Sequence, residues 1–383
     1  ALALAMLWTA AFDPQSHLLM TAIGAVLIGF CAATQDIVID AYRIESAPPD
    51  LQSMLSSTYI AGYRIGMIVG GAGALHIADL GGDGYNYEAW AWAYVAMAGA
   101  MLVGIVTTLV IDEPDTAPRA EDSLNGPQAY LRFIAAFAFA VLAFMGVFAM
   151  SGTAAEFARA AIETALNPTL SGFLTETLRL GCAIAAAAGC AWLCVATKLV
   201  PAEHVRVTYV DPVADFMKRY GGSALIILLL IGTYRIADIV MGAIANVFYL
   251  DAGYDKSQIA TYSKFWGLWA TIVGGLLGGI LSLRFGIHRI LFTGAALAAL
   301  TNLLFAWLAT QGPDVALLAG VIVADNLSAG LAGAAFVAYL SSLTNVSFTA
   351  MQYALFTSVM TLIPKLLAGY SGSMVDALGY EVF

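Results

Sequence analysis

Hydrophobic residues fill most of the chain in long runs, and charged or polar residues gather in the short stretches between them. A run of about 20 apolar residues is long enough for an α-helix to cross a hydrocarbon core of roughly 30 Å. The pattern predicts eleven such segments, at residues 1–12 (incomplete), 18–42, 54–78, 89–111, 129–150, 177–199, 223–249, 258–283, 288–310, 314–341 and 350–375. We therefore predict an all-α integral membrane protein.

The composition supports this class, since 61% of the residues are hydrophobic and 11% are charged, against about 25% charged residues in an ordinary soluble domain. The net charge is −10, and no basic cluster is present that could follow a phosphate backbone, so nucleic acid is not an expected partner. The four histidines are scattered and the four cysteines form no CxxC pair, so we predict neither a metal site nor a cofactor.

Lys and Arg residues are divided unevenly between the loops predicted on one side of the membrane and those predicted on the other. Nine Lys and Arg residues follow alternate predicted segments, and three lie in the opposite loops. The nine are Arg43, Arg119, Arg132, Lys198, Arg206, Lys218, Arg219, Arg284 and Arg289, and the three are Arg159, Arg179 and Lys256. Because positive residues are retained on the cytoplasmic side, the loops at 13–17, 79–88 and 311–314 are predicted to lie outside.

A weak internal repeat relates the two ends of the chain. Ala41-Tyr42 matches Ala338-Tyr339 at an offset of 297, and Gly70 and Gly73 match Gly369 and Gly372 with a two-residue gap. Both copies run in the same direction across the membrane, so the repeat is parallel. Parallel halves related by an axis along the membrane normal are typical of major facilitator transporters, whose substrate site lies near the midplane.

Eight ionisable residues lie at membrane depth, away from the ends of the predicted spans, and four are acidic and four basic. Each costs roughly 2.5–3.5 kcal/mol at membrane depth unless it is paired or faces water, so the set predicts a polar cavity. The eight are Asp36, Asp40, Asp238 and Asp325 together with Arg64, Arg235, Lys264 and Lys365.

Local spacing predicts partners for some of these charges. Arg235 and Asp238 are three residues apart and can pair on one helix face, and Arg43 can neutralise Asp40 in the same way. Asp36 has no such neighbour.

The internal repeat indicates whether Asp36 and Asp40 have a structural or a functional role. The positions equivalent to Asp36 and Asp40 in the second half are Gly333 and Val337. The fold therefore does not require acids there, which favours a functional role for at least one of them.

Several motifs then resemble one known family. The stretch GFCAATQDIVIDAYRIE is similar to the fourth-helix signature of the AmpG-type muropeptide permeases of the major facilitator superfamily, which are related to acetyl-coenzyme A transporters. GYRIGMIVGG, YRIADIV, SKFWGLWATIVGGLLGG and GLAGAAFVAYLSSLTN resemble later segments of that family in the same order. The resemblance implies proton-driven import of GlcNAc-1,6-anhydroMurNAc peptides from periplasm to cytoplasm, which feeds cell-wall recycling and β-lactamase induction, in the bacterial inner membrane.

The implied fold has two parallel six-helix halves with two additional helices between them. We expect the N-terminal half at 1–111, a central linker with the additional helices at 112–222 and the C-terminal half at 223–383. Residues 153–176 are predicted to be an interfacial connector. The chain is expected to be a fragment that lacks about two N-terminal helices and the last helix.

Site residues follow from the buried charges and from the resemblance together. Asp36 and Asp40 are the candidates for proton coupling. The candidates for substrate binding are Gln35, Tyr63, Arg64, Tyr234, Arg235, Asp238, Lys264, Trp266, Asp325, Asn326, Gln352 and Lys365. The expected partners are an anhydro-muropeptide, protons and membrane lipid, and the expected state is a monomer. Alternatives that stay open are a carrier of another solute such as acetyl-coenzyme A, a drug exporter, and a membrane-embedded enzyme or scaffold.

Overall fold

The computed structural model describes residues 1–82, 84–114 and 126–383, and helices are the regular secondary structure found in them. Arg119 of the orientation argument lies outside these residues, as does part of the predicted linker. The α-helices are α1 Leu2–Ala10, α2 Leu18–Glu45, α3 Gln52–Met67, α4 Ala74–Asp79, α5 Tyr87–Val110, α6 Pro127–Met150, α7 Gly152–Glu163, α8 Pro168–Ala196, α9 Ala202–Val205, α10 Asp211–Tyr220, α11 Ser223–Thr233, α12 Ile236–Asp251, α13 Lys256–Ile259, α14 Gly267–Phe285, α15 Ile287–Ala309, α16 Val315–Leu343, α17 Thr349–Ala368 and α18 Ser371–Val382.

The predicted membrane class is confirmed. Within the described residues, ten helical segments are long and apolar enough to cross a membrane. They correspond to all of the predicted segments except the first, which is the nine-residue helix α1. Among the described residues, Ile68–Gly73, Arg206–Val210 and Ala260–Trp266 are π-helical, and Pro49–Leu51 and Val346–Phe348 are short 3-10 helices.

The predicted connector at 153–176 is wrong in its second half. α8 begins at Pro168, nine residues before the predicted start of that span. The side chain of Asn167 accepts a hydrogen bond from the backbone N–H of Leu170 at 2.8 Å, and proline occupies the first helical position. An Asn followed by Pro favours the start of a helix, but this preference cannot be seen in a hydropathy pattern. Only α7 and residues 164–167 connect α6 to α8.

The stretch between α8 and α11 contains helical segments that the sequence analysis did not predict. α10 is strongly amphipathic. Its Phe216 is buried against Phe356 with ring centroids 5.0 Å apart, whereas Lys218 and Arg219 are exposed. One apolar face and one basic face are typical of a helix at a membrane surface.

The described helices form two compact units. Unit 1 comprises Ala1–Thr116, Phe265–Ala296 and Val323–Tyr353, and unit 2 comprises Ala117–Lys264, Leu297–Ile322 and Ala354–Phe383. The core of unit 2 is an aromatic and aliphatic cluster that includes Phe248, Tyr249, Phe305, Leu308 and Ile322. The division into two halves and a central linker stays a prediction.

Glycines bring the helices of unit 1 close together at the GGLLGG sequence, residues 274–279. A Cβ atom at Gly274 would collide with the carbonyl oxygen of Leu327, and one at Gly278 would lie 2.7 Å from the carbonyl oxygen of Leu331. α14 therefore packs backbone to backbone against α16, which is how small residues join membrane helices. The GGAG sequence at 70–73 differs, because that stretch is π-helical and a Cβ at Gly70 would meet no described atom within 4 Å.

We expect Gly274→Ala to destabilise the protein by about 1–3 kcal/mol, because the added methyl group forces α14 away from α16. Gly104→Ala in α5 is the matched control, since a Cβ there meets no described atom within 4 Å. The control is expected to be neutral or to stabilise α5 by up to about 1 kcal/mol, from helix propensity alone. Thermal unfolding in detergent, followed by size-exclusion chromatography, measures both variants. Equal midpoints for the two would contradict the close packing.

Candidate functional site

Helix α2 carries the two acids predicted to couple protons. Asp36 and Asp40 lie one turn apart near its C-terminal end, Asp36 exposed and Asp40 buried. Arg43 Nη2 lies 3.3 Å from Asp40 Oδ1, so the predicted ion pair is confirmed. Asp36 makes no hydrogen bond or ion pair to a described residue. The two neighbouring carboxyl groups therefore differ, one held by a cation and the other open to its surroundings.

Arg43 was predicted to lie in a cytoplasmic loop, and this is wrong. α2 continues to Glu45, and the Arg43 side chain is only 6% exposed. Arg43 Nη1 donates to Ser341 Oγ at 2.9 Å and to Ser56 Oγ at 3.3 Å. Its guanidinium group therefore ties α2 to α3 and to α16 as well as binding Asp40.

Two tyrosine rings enclose the same guanidinium group. Arg43 Cζ lies 5.3 Å from the ring centroid of Tyr59 and 5.2 Å from that of Tyr353, distances at which a cation is attracted to an aromatic face. A planar guanidinium group can stack and form several directed hydrogen bonds at once, which a lysine cannot do. Neither tyrosine was identified from the sequence, because nothing in its local spacing connects it to Arg43.

The remaining candidates in unit 1 lie on α3, the π-helical stretch before α14, α16 and α17. Tyr63 is 57% exposed and precedes Arg64. Trp266 is 51% exposed and ends the π-helical stretch Ala260–Trp266. Thr271 Oγ1 donates to Asn326 Oδ1 at 3.0 Å, which orients that amide beside Asp325.

Gln352 has a structural contact in this conformation. Its side chain is fully buried, and Oε1 accepts a hydrogen bond from the backbone N–H of Asn345 at 2.8 Å. Gln52 has a similar position near the start of α3, where Nε2 donates to the carbonyl oxygens of Ile44 and Ala47, each at 2.9 Å. Each glutamine thus fastens the start of its helix to the turn before it.

In unit 2 the predicted pair of Arg235 and Asp238 is confirmed, with Nε and Oδ2 3.5 Å apart. The structure adds a break that the hydropathy pattern did not predict. α11 ends at Thr233 and α12 begins at Ile236, so Tyr234 and Arg235 interrupt the span. Interrupted membrane helices are tolerated where they are buried in protein or line a cavity, and they occur at transporter binding sites.

Lys264 and Lys365 are the other two candidates in unit 2, and both are exposed. Lys264 lies in the π-helical stretch Ala260–Trp266, and Lys365 follows Pro364 inside α17. The structure thus places Tyr234, Arg235, Asp238, Lys264 and Lys365 in unit 2, and the other nine predicted site residues in unit 1.

Comparison with known proteins agrees with this architecture. The family model described as Major Facilitator Superfamily matches residues 1–369. "Putative transporter AmpG 4" of Rickettsia conorii is 27% identical over 372 residues, covering 97% of this chain and 70% of that protein. "Putative transporter AmpG 3" of Rickettsia typhi is 27% identical over 385 residues, covering 100% of this chain and 72% of that protein. The "Anhydromuropeptide permease" of Escherichia coli K12 is 26% identical over 373 residues, covering 97% of this chain and 58% of that protein.

The ten apolar spans found in the described part of the chain and a family match over nearly the whole chain establish the class of protein. This is a multi-pass inner-membrane transporter and not an enzyme. The chain belongs to the major facilitator superfamily.

Proposed function

We propose that this protein imports anhydro-muropeptides from the periplasm to the cytoplasm and that a proton gradient drives the import. The observation that carries the substrate is the similarity to the anhydromuropeptide permease of Escherichia coli along 97% of this chain. A partial likeness confined to one motif would support only the transporter class.

The paired acids of α2 supply a means of coupling. Apolar surroundings disfavour the charged form of a carboxyl group, so an acid at membrane depth can take up a proton from one side and release it to the other. The guanidinium group of Arg43 forms an ion pair with Asp40 and is its counter-ion. Asp36 is exposed and has no counter-ion among the described residues, so we assign it as the proton carrier. Asp40 then influences Asp36 as a neighbouring negative charge one turn away.

The substrate offers sugars, carboxylates and amines, and the candidate residues offer matching groups. The exposed rings of Tyr63 and Trp266 suit stacking on sugar rings. Arg64, Lys264 and Lys365 suit the carboxylates of the peptide.

Uptake into proteoliposomes tests this function. Radiolabelled anhydro-muropeptide is added outside vesicles that contain the protein, with and without an imposed inward proton gradient. We expect accumulation only with the gradient, and inhibition by excess unlabelled muropeptide but not by acetyl-coenzyme A. Accumulation of acetyl-coenzyme A instead, or muropeptide uptake that ignores the gradient, would overturn the substrate or the coupling respectively.

We expect Arg64→Gln and Lys365→Gln each to raise the apparent KM for the peptide-bearing substrate by about tenfold, the effect of one lost charged contact of roughly 1.4 kcal/mol. The disaccharide without peptide lacks those carboxylates and should be transported with nearly unchanged KM. Comparing the two substrates within each variant is therefore the control. Equal loss on both would assign these cations to structural ion pairs rather than to the substrate.

A further inference from the structure

A groove lies in unit 2 among residues of α6, α8 and the helical stretch that starts at Ala202. Its volume is about 640 Å³. None of the residues predicted to bind substrate or protons lines it. α6 and α8 are the two helices predicted to be additional to the six-helix halves, and no part of the proposed transport function uses the groove.

The residues that line the groove are mostly apolar. They include the small side chains of Ala187, Ala188 and Ala191 on α8 and the larger side chains of Phe137 and Trp192. The lining positions on α8 run from residue 184 to residue 195, which is on the order of 16 Å along a helix. An apolar lining of this length suits an extended hydrocarbon chain better than a compact polar solute.

The lining also contains one charged side chain, that of Arg206. Ala202, Val205, Arg206 and Tyr209 line the groove at helical spacing, so one face of this stretch is turned toward it. The Arg206 side chain is 73% exposed, and its Nε lies 3.2 Å from Asp211 Oδ1. Neither of its Nη atoms makes a hydrogen bond to a described residue.

Other groups near Arg206 favour an anionic ligand. The Tyr209 ring stacks on Phe133 with centroids 5.9 Å apart, and both residues line the groove. Lys198, Lys218 and Arg219 lie in the same connection between two spans, on the side predicted to be cytoplasmic. The cytoplasmic leaflet is where positive residues close to a membrane helix meet anionic headgroups.

We propose that this groove binds one anionic phospholipid of the cytoplasmic leaflet. One acyl chain lies along α8 between Phe137 and Trp192. The headgroup phosphate accepts hydrogen bonds from the Nη atoms of Arg206 and from the hydroxyl of Tyr209. This assignment is independent of the transported substrate, since it rests on residues of α6, α8 and the segment after α8.

Quenching of Trp192 by brominated lipids tests the site in the full chain. The protein is placed in nanodiscs of phosphatidylcholine that contain a small fraction of dibrominated phosphatidylglycerol or dibrominated phosphatidylethanolamine. The chain has seven tryptophans, so the signal of Trp192 is taken as the difference between the wild type and Trp192→Phe. We expect half-maximal quenching at about a fivefold lower fraction of phosphatidylglycerol than of phosphatidylethanolamine.

Two variants separate the headgroup from the chain. Arg206→Gln is expected to remove the preference for phosphatidylglycerol, while Lys218→Gln, a basic residue outside the groove, leaves it unchanged. Ala188→Leu places a larger side chain in the lining of the groove and should reduce quenching by both lipids. Equal quenching by both lipids in the wild type, or a preference that survives Arg206→Gln, would identify ordinary surrounding lipid and overturn the site.

Discussion

Arg43→Gln is expected to lower the free energy of unfolding by about 3–5 kcal/mol, which is the usual cost of removing one partner from a buried ion pair. The side chains of Arg43 and Asp40 are 6% and 11% exposed, so solvent does little to replace the lost charge. The glutamine would also lose the contacts with Ser56, Ser341 and the two tyrosine rings. Thermal unfolding in detergent measures the loss.

Two comparisons decide whether the ion pair causes this loss. Arg159→Gln is the matched control, because Arg159 Nε lies 2.8 Å from Glu163 Oε1 in a pair whose side chains are 51% and 36% exposed. That variant is expected to change stability by less than about 1 kcal/mol. The double variant Arg43→Gln/Asp40→Asn should recover a large part of the lost stability, because no unpaired charge remains. No recovery would mean that Arg43 acts mainly through its serine and tyrosine contacts.

The membrane class and ten of the eleven predicted spans could be predicted because both depend on the length of apolar runs, which is a local property. The same applies to the two ion pairs, since residues three apart on a helix are neighbours in any fold. The close approach of α14 to α16 at GGLLGG likewise follows from the small size of these residues. The start of α8 at Pro168 and the end of α11 at Thr233 could not be predicted from the hydropathy pattern. A helix cap or a break depends on single residues, which barely change the average hydropathy of a segment.

The environment of Arg43 could not be predicted from local spacing. Its partners Tyr59, Ser341 and Tyr353 come from distant parts of the sequence, and only the packing of α2 with α3, α16 and the start of α17 brings them together. The loop assignment failed because a charged residue at the end of an apolar run is usually outside the membrane. A cation three residues after an acid within that run was the available signal for a buried pair.

Irregular backbone near the candidate residues was also hidden from the hydropathy pattern. Lys264 and Trp266 lie in a π-helical stretch, and Arg235 lies at the break between α11 and α12. The internal repeat gave a partial indication of this irregular backbone. Gly70 lies in a π-helical stretch and its counterpart Gly369 lies between α17 and α18, so both copies depart from regular α-helix there. Such departures are frequent at functional sites and suit helices that must change shape during transport.

Asp36→Asn is expected to abolish accumulation of muropeptide against its gradient while the protein still inserts, binds substrate and exchanges it. The amide is similar in size to the carboxyl group and cannot carry a proton, so the loaded and unloaded states of the carrier become identical. Asp36 is exposed and contacts no described residue through a hydrogen bond or ion pair, so its replacement should leave thermal stability nearly unchanged. This separates it from Asp40→Asn, which leaves the buried Arg43 without its counter-ion.

The measurement compares two assays on the same proteoliposomes. Gradient-driven uptake should fall to the level of empty vesicles in Asp36→Asn, and counterflow of labelled against unlabelled substrate, which needs no net proton movement, should persist. Asp36→Glu keeps a carboxyl group on the same helix face and is expected to retain measurable accumulation. Asp36 would not be the coupling residue if Asp36→Asn still concentrated muropeptide and did so only under a proton gradient. In that case coupling would have to pass through another acid within the spans, and Asp40 beside Arg43 would be the next carboxyl group to replace.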